Sequence, residues 1–198
     1  MNKHVFKVHP IMIPFFLFFY LSGEFAIYSI VFGSLLIHEV GHLIGAKIVG
    51  IKVRSCTILP YGGEIKMQQF SKVKKSDQLF VILGGPFCTF LLLLFSFFID
   101  FPQDSLVFFV QVIILSLNLL PIYPLDGGRA LDTLFPHNYE RLIIFSMWGS
   151  GLIFCMSFIY FPKAISASLI FLFIFLQNYS YWRFRKYKLA YERITKAA

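Results

Sequence analysis

Apolar runs limit what this chain can fold into. They cover residues 11–21, 25–48, 79–99, 105–120, 142–161 and 164–181. At 58% hydrophobic residues with 26 Phe and only 14% charged, the 198 residues hold more apolar surface than the interior of a soluble domain accommodates. The predicted class is an all-α polytopic membrane protein of about six transmembrane helices. The first run is the weakest. Its eleven residues rise only about 17 Å as a helix against a hydrocarbon core of about 30 Å, and Pro14 lies inside it. It crosses only by borrowing neighbours such as Val8 or Ala26.

The basic residues test that count. With six crossings, the N-terminus, the segments 47–77 and 121–141 and the C-terminal tail share one side, and of the 18 Lys and Arg only Lys163 falls opposite. The positive-inside rule makes the crowded side cytoplasmic. A net charge of +8 is accounted for in this way. No nucleic-acid recognition motif accompanies it, so nucleic acid is excluded as a partner and the lipid bilayer is the expected one. Cys56, Cys88 and Cys155 have no metal or redox spacing and read as apolar fillers. The N-terminus MNKHVFKVHP has no signal-cleavage pattern, so its removal is not expected.

Against this background the stretch SLLIHEVGHLIGAKI demands an explanation, because a charge at mid-membrane costs at least about 2.5 kcal/mol and this apolar run carries a glutamate between two histidines. On a helix the ends of His-Glu-x-x-His lie one turn apart on one face. His38 and His42 can therefore hold one Zn²⁺ while Glu39 faces a water that the ion activates. A hydrolytic zinc takes three protein ligands and keeps one position open. The stretch NLLPIYPLDGGRALD offers Asp126 after the fourth run. Pro121 and Pro124 break the helix there, and Gly127 and Gly128 permit a tight turn. Irregular backbone at membrane depth is tolerated only when buried in protein or lining a wet cavity. In the six-span topology Asp126 and the end of the helix carrying His38 and His42 share the cytoplasmic side. Asp132, six residues on, is explained by the field of a helix N-terminus alone.

HEVGH in the second run, LPYGGE after it, GGP in the third and NLLPIYPLDGG after the fourth resemble the site-2-protease (M50) family of intramembrane zinc metalloproteases, and specifically its sporulation branch. The resemblance extends from about position 7 to about position 185. It implies a six-helix core, residues 1–182, that cleaves a membrane-associated protein substrate in or near the bilayer of the cell membrane, with its active site toward the cytoplasm. A basic tail, 183–198, follows. In the sporulation branch the substrate is a sigma-factor precursor, and membrane-protein inhibitors or regulators are further partners of this family type. Carried over by motif, His38, His42 and Asp126 are the zinc ligands, Glu39 is the general base, and Asn118 steadies the substrate carbonyl. Leu59 to Met67 becomes a membrane-dipping hairpin whose edge pairs with unwound substrate; the alternative is an ordinary hairpin with Gly62 and Gly63 in the turn. Members of that branch carry a nucleotide-binding module after the sixth helix. The tail YWRFRKYKLAYERITKAA is too short for one and suits an amphipathic helix on anionic lipid.

Two other classes compete. A membrane metal transporter should place ligands on several spans, but the third, fifth and sixth runs contain no Asp, Glu or His. A catalytically inert regulatory homologue has no need of Glu39. His4, His9 and His137 have no partner at ligand spacing and read as interfacial.

Overall fold

The computed structural model describes residues 6–10, 12–21, 23, 25–59, 62–98, 104–160 and 165–197. Among them the chain is mostly helical, with one small sheet, and it divides into two compact units, Met1–Asn118 and Leu119–Ala198.

The first unit holds β1 (Phe6–Val8), α1 (Met12–Leu21), α2 (Phe25–Val49), β2 (Val53–Leu59), β3 (Gly62–Met67), α3 (Lys75–Phe95) and α4 (Asp104–Asn118). Helix α2 shows the lipid logic of the sequence. Ile37, Val40, Ile44 and Ile48 recur on one exposed stripe, while Ser34, His38, His42 and Ala46 are buried on the opposite face. That polarity suits a helix whose outer face meets hydrocarbon, where an exposed Ile costs nothing. Helix α3 packs on the buried face at very short range. A Cβ on Gly41 would overlap the Gly84 carbonyl, and one on Gly45 would come within 3.2 Å of Val81 Cα. Small residues let the two backbones touch and bring α3 side chains up to the histidines. Between α2 and α4, Gln111 Nε2 donates to Ser34 Oγ at 2.6 Å inside the buried layer.

The three strands run in the order β1-β2-β3. β1 lies parallel to β2, and β2 pairs antiparallel with β3, Leu59 opposite Gly62 and Ile58 opposite Gly63. Gly62 and Gly63 therefore open β3 and are not the turn itself. Pro60 and Tyr61 lie outside the described residues. With β2 in the middle, the outer edges of β1 and β3 are the two that no described strand covers.

The second unit holds α5 (Asp126–Leu134), α6 (Tyr139–Ile159) and α7 (Ile165–Ala197). The irregular stretch before α5 is tied down by side chains: Ser146 Oγ accepts from Tyr123 N–H at 2.8 Å, and Asn178 Nδ2 donates to Tyr123 O at 2.5 Å. Backbone groups that no helix satisfies are thus paired within protein, as an apolar surrounding requires. The basic tail is continuous with the last helix. α7 runs unbroken for 33 residues, about 50 Å, and Arg185 Nε meets Glu140 Oε1 at 3.3 Å while its guanidinium lies 4.6 Å from the Trp182 ring centre.

Among the described residues three helices are long and apolar enough to cross a membrane, Ile27–Val49, Lys75–Phe95 and Pro136–Ile159, and Ser105–Asn118 is a shorter apolar helix. The chain thus has the make-up of a multi-pass membrane protein. The first apolar run forms a helix of only ten residues, about 15 Å, so its shortness in sequence is also its shortness in structure.

Candidate metal centre and catalytic base

His38 and His42 are buried on α2 with Nε2 atoms 3.2 Å apart. Each ring is fixed at its other nitrogen. His42 Nδ1 lies 2.9 Å from Val81 O; a carbonyl only accepts, so this nitrogen carries the proton. Gly85 N–H also approaches His42 Nδ1, at 3.3 Å, but a protonated nitrogen cannot accept, and the shorter carbonyl contact sets the tautomer. His38 Nδ1 lies 2.8 Å from Thr89 Oγ1, whose own hydroxyl donates to Gly85 O at 3.3 Å. The hydroxyl therefore accepts from His38, and both Nε2 atoms present lone pairs.

Two lone pairs facing each other at 3.2 Å repel unless a cation lies between them. Two nitrogens on one tetrahedral zinc, each bound at about 2.0–2.1 Å, sit on the order of 3.3 Å apart. The separation matches that geometry. Fixing the outer nitrogen of a ligating histidine is also how metal sites orient their first ligands.

Helix α3 is built to provide these partners. Pro86 sits inside it and is buried. A proline there cannot bond the carbonyl four residues earlier and loosens that turn, the turn next to Val81, whose carbonyl is engaged with His42. Gly85 faces both rings, and a Cβ there would overlap both Nε2 atoms.

Glu39 is half-buried, and its Oε1 accepts from Gly63 N–H at 2.7 Å. Cys56, buried in β2, feels that carboxylate: burial first, and the Glu39 charge second, push its thiol up from its ordinary value of 9.0.

In the second unit Asp126 is buried and stands in the first turn of α5, with Leu125 extended before it. This corrects the irregular backbone expected at Asp126. The favourable helix N-terminal field expected at Asp132 falls on Asp126 instead, and Asp132 lies near the far end of α5. Gly127 and Gly128 are helical, and each is crowded by backbone of residues 119–123. Arg129 Nη1 lies 3.4 Å from Asp126 Oδ1. Asn118 Nδ2 donates at 3.0 Å to Ile114 O of its own helix, which uses one of its two amide hydrogens.

His38, His42 and Asp126 are all buried, and two imidazoles with one carboxylate form a donor set that fits one zinc ion. Thr89, the Val81 carbonyl and Gly85 were not singled out as metal-site residues from sequence. Only the GGP triplet marked this part of α3 as unusual.

Helices long and apolar enough to cross a membrane, with a buried, partner-oriented His-x-x-x-His pair, carry the features of a membrane-embedded zinc-peptidase site. Residues 26–104 match the sequence profile of peptidase family M50. The chain is 31% identical over 125 residues to a zinc metalloprotease of Methanocaldococcus jannaschii, covering 59% of this chain and 36% of that protein. It is 26% identical over 197 residues to stage IV sporulation protein FB of Bacillus subtilis, covering 91% of this chain and 67% of that one. The chain thus spans about a third of the length of the first relative and two thirds of the second. The site-2 protease of Methanocaldococcus jannaschii has a similar fold, with a TM-score of 0.63 at 21% identity over 92% of this chain and 93% of that chain.

Proposed function

We propose that this chain is an intramembrane zinc metalloprotease that hydrolyses a peptide bond of a membrane-associated protein. The observation that carries the reading is the pair of Nε2 atoms of His38 and His42, 3.2 Å apart, with each ring held from behind by Thr89 or Val81. Asp126 completes the ligand set, its burial and carboxylate chemistry being those of a third zinc ligand. A zinc held by these residues would lower the pKa of a water toward about 7 and polarise a carbonyl.

The chain's own residues do the rest. Glu39 takes the proton from the attacking water and hands it to the leaving amine, a role that needs a carboxylate able to both accept and release. Asn118 turns its second amide N–H to the substrate carbonyl. The open edge of β3 takes an unwound substrate segment as an added strand, so that main-chain hydrogen bonds hold it extended for attack.

In this reading residues 1–182 form a six-helix core and 183–198 a basic tail, and the crowding of Lys and Arg supports a cytoplasmic active site. A sporulation sigma-factor precursor is the narrower version of the substrate, supported by the likeness running along most of the chain. Metal analysis and peptide release from the purified protein test the proposal together. One zinc per chain with cleavage is the expected result. Metal flux without cleavage would make it a transporter, and neither would make it an inert homologue.

A further inference from the structure

The hairpin does more than offer an edge. Gly63 N–H donates to Glu39 Oε1 at 2.7 Å, and a Cβ built on Gly63 would lie 2.7 Å from both Glu39 Cδ and Oε2. The strand backbone therefore lies against the carboxylate itself, at a distance that only a residue without a side chain permits. We propose that Gly63 is a positioning residue for the general base. Its N–H fixes one carboxylate oxygen, and its missing side chain leaves room for the group. This rests on the reading of Glu39 as that base.

The topology adds a consequence. In a strand, alternate residues turn their N–H groups to the same edge. The Gly63 N–H is spent on Glu39 of α2 and not on β2, so Gly63, Ile65 and Met67 belong to the open edge of β3. A strand added there meets the Glu39 carboxylate where it reaches Gly63. Substrate docking and the orientation of the base are thus set by one piece of backbone, which places the bond to be cut opposite Gly63. The collision a methyl would cause falls on the far end of a flexible side chain. Gly63→Ala therefore leaves the fold intact and moves the base.

Two measurements test this. In a cleavage assay on the full chain, Gly63→Ala should lower kcat roughly 100-fold, the cost of an ångström-scale misplacement of a catalytic group. KM should stay within about twofold of its original value and zinc content should be unchanged. Unchanged kcat, or a rise in KM alone, would overturn the proposal by making Gly63 a mere part of the docking edge. The second readout needs no activity. In ¹⁵N-glycine-labelled protein in detergent, with the Gly63 amide assigned by its loss in Gly63→Ala, Glu39→Ala should shift that resonance upfield and speed its hydrogen exchange about tenfold or more. An unmoved Gly63 amide would overturn the contact. If the parent protein cuts nothing while the amide responds, the protease reading fails and the clamp on Glu39 stands.

Discussion

The Nε2 atoms of His38 and His42 face each other at 3.2 Å, while Thr89 Oγ1 and Val81 O engage the Nδ1 atom on the far side of each ring. The spacing fits two ligands of one tetrahedral cation, and the Thr89 hydroxyl is the replaceable part of the support of His38. Thr89→Val keeps the shape and removes the acceptor. It should weaken zinc binding roughly 10- to 100-fold, read by competition with a chromophoric chelator. Unchanged affinity would mean that His38 is oriented by packing alone.

Gly85→Ala places a methyl against both Nε2 atoms, so the metal should be lost even though no ligand has been touched. Gly33→Ala is the control, since a Cβ there meets nothing within 4 Å; in mid-helix it should stabilise by about 0.5–1 kcal/mol if it has any effect. Zinc content and melting temperature of both variants separate loss of the site from loss of the fold. A Gly85→Ala protein that keeps full zinc contradicts the proposed position of the ion.

Cys56 reports on the base without any substrate. Burial and the Glu39 charge both raise its thiol, so its thiolate fraction is smaller at any given pH, and alkylation by a small water-soluble reagent should reach half its limiting rate only above pH 9.0. Glu39→Gln removes the second cause and leaves burial, so the midpoint should move down but remain above 9.0. A midpoint at or below 9.0 in the parent would mean that β2 does not shield this residue.

How much of this was legible in sequence follows the range of each contact. His38, Glu39 and His42 lie within five positions, and helical spacing alone brings the two histidines together. Thr89 and Val81 meet the same rings from 51 and 39 residues away, and no local pattern announces such partners. Only the GGP triplet hinted at them, since glycines and a proline in an apolar helix mark close approach or a break. The hairpin was legible from its glycines, but the place of Gly62 and Gly63 in it was not, because register depends on pairing with β2. Asp126 was legible as a carboxylate after a broken helix. Its place in the first turn of α5 was not, since a proline two residues earlier and two glycines after it argue against helix locally, while Tyr123, held by Ser146 and Asn178, sets where the helix starts.

Asp126 and Asp132 share one short helix, Asp126 being buried at 4% exposed and Asp132 half-buried. Asp126→Ala should lose both zinc and cleavage, since two histidines alone hold the ion weakly and leave its geometry undefined. Asp132→Ala should keep its zinc and most of its activity. Metal analysis and cleavage by the two purified variants decide it, and the reverse pattern would move the third ligand to Asp132.

The most direct test of the whole account is Glu39→Gln, assayed at once for bound zinc and for cleavage of a co-expressed membrane substrate. The substitution keeps shape and a hydrogen-bonding oxygen for Gly63 but removes the proton acceptor. The protein should accumulate normally and retain one zinc, and cleavage should fall by roughly 10²- to 10⁴-fold, the contribution of a general base. A variant that loses its zinc would make Glu39 a ligand, and one that still cuts at the parent rate would contradict the mechanism altogether.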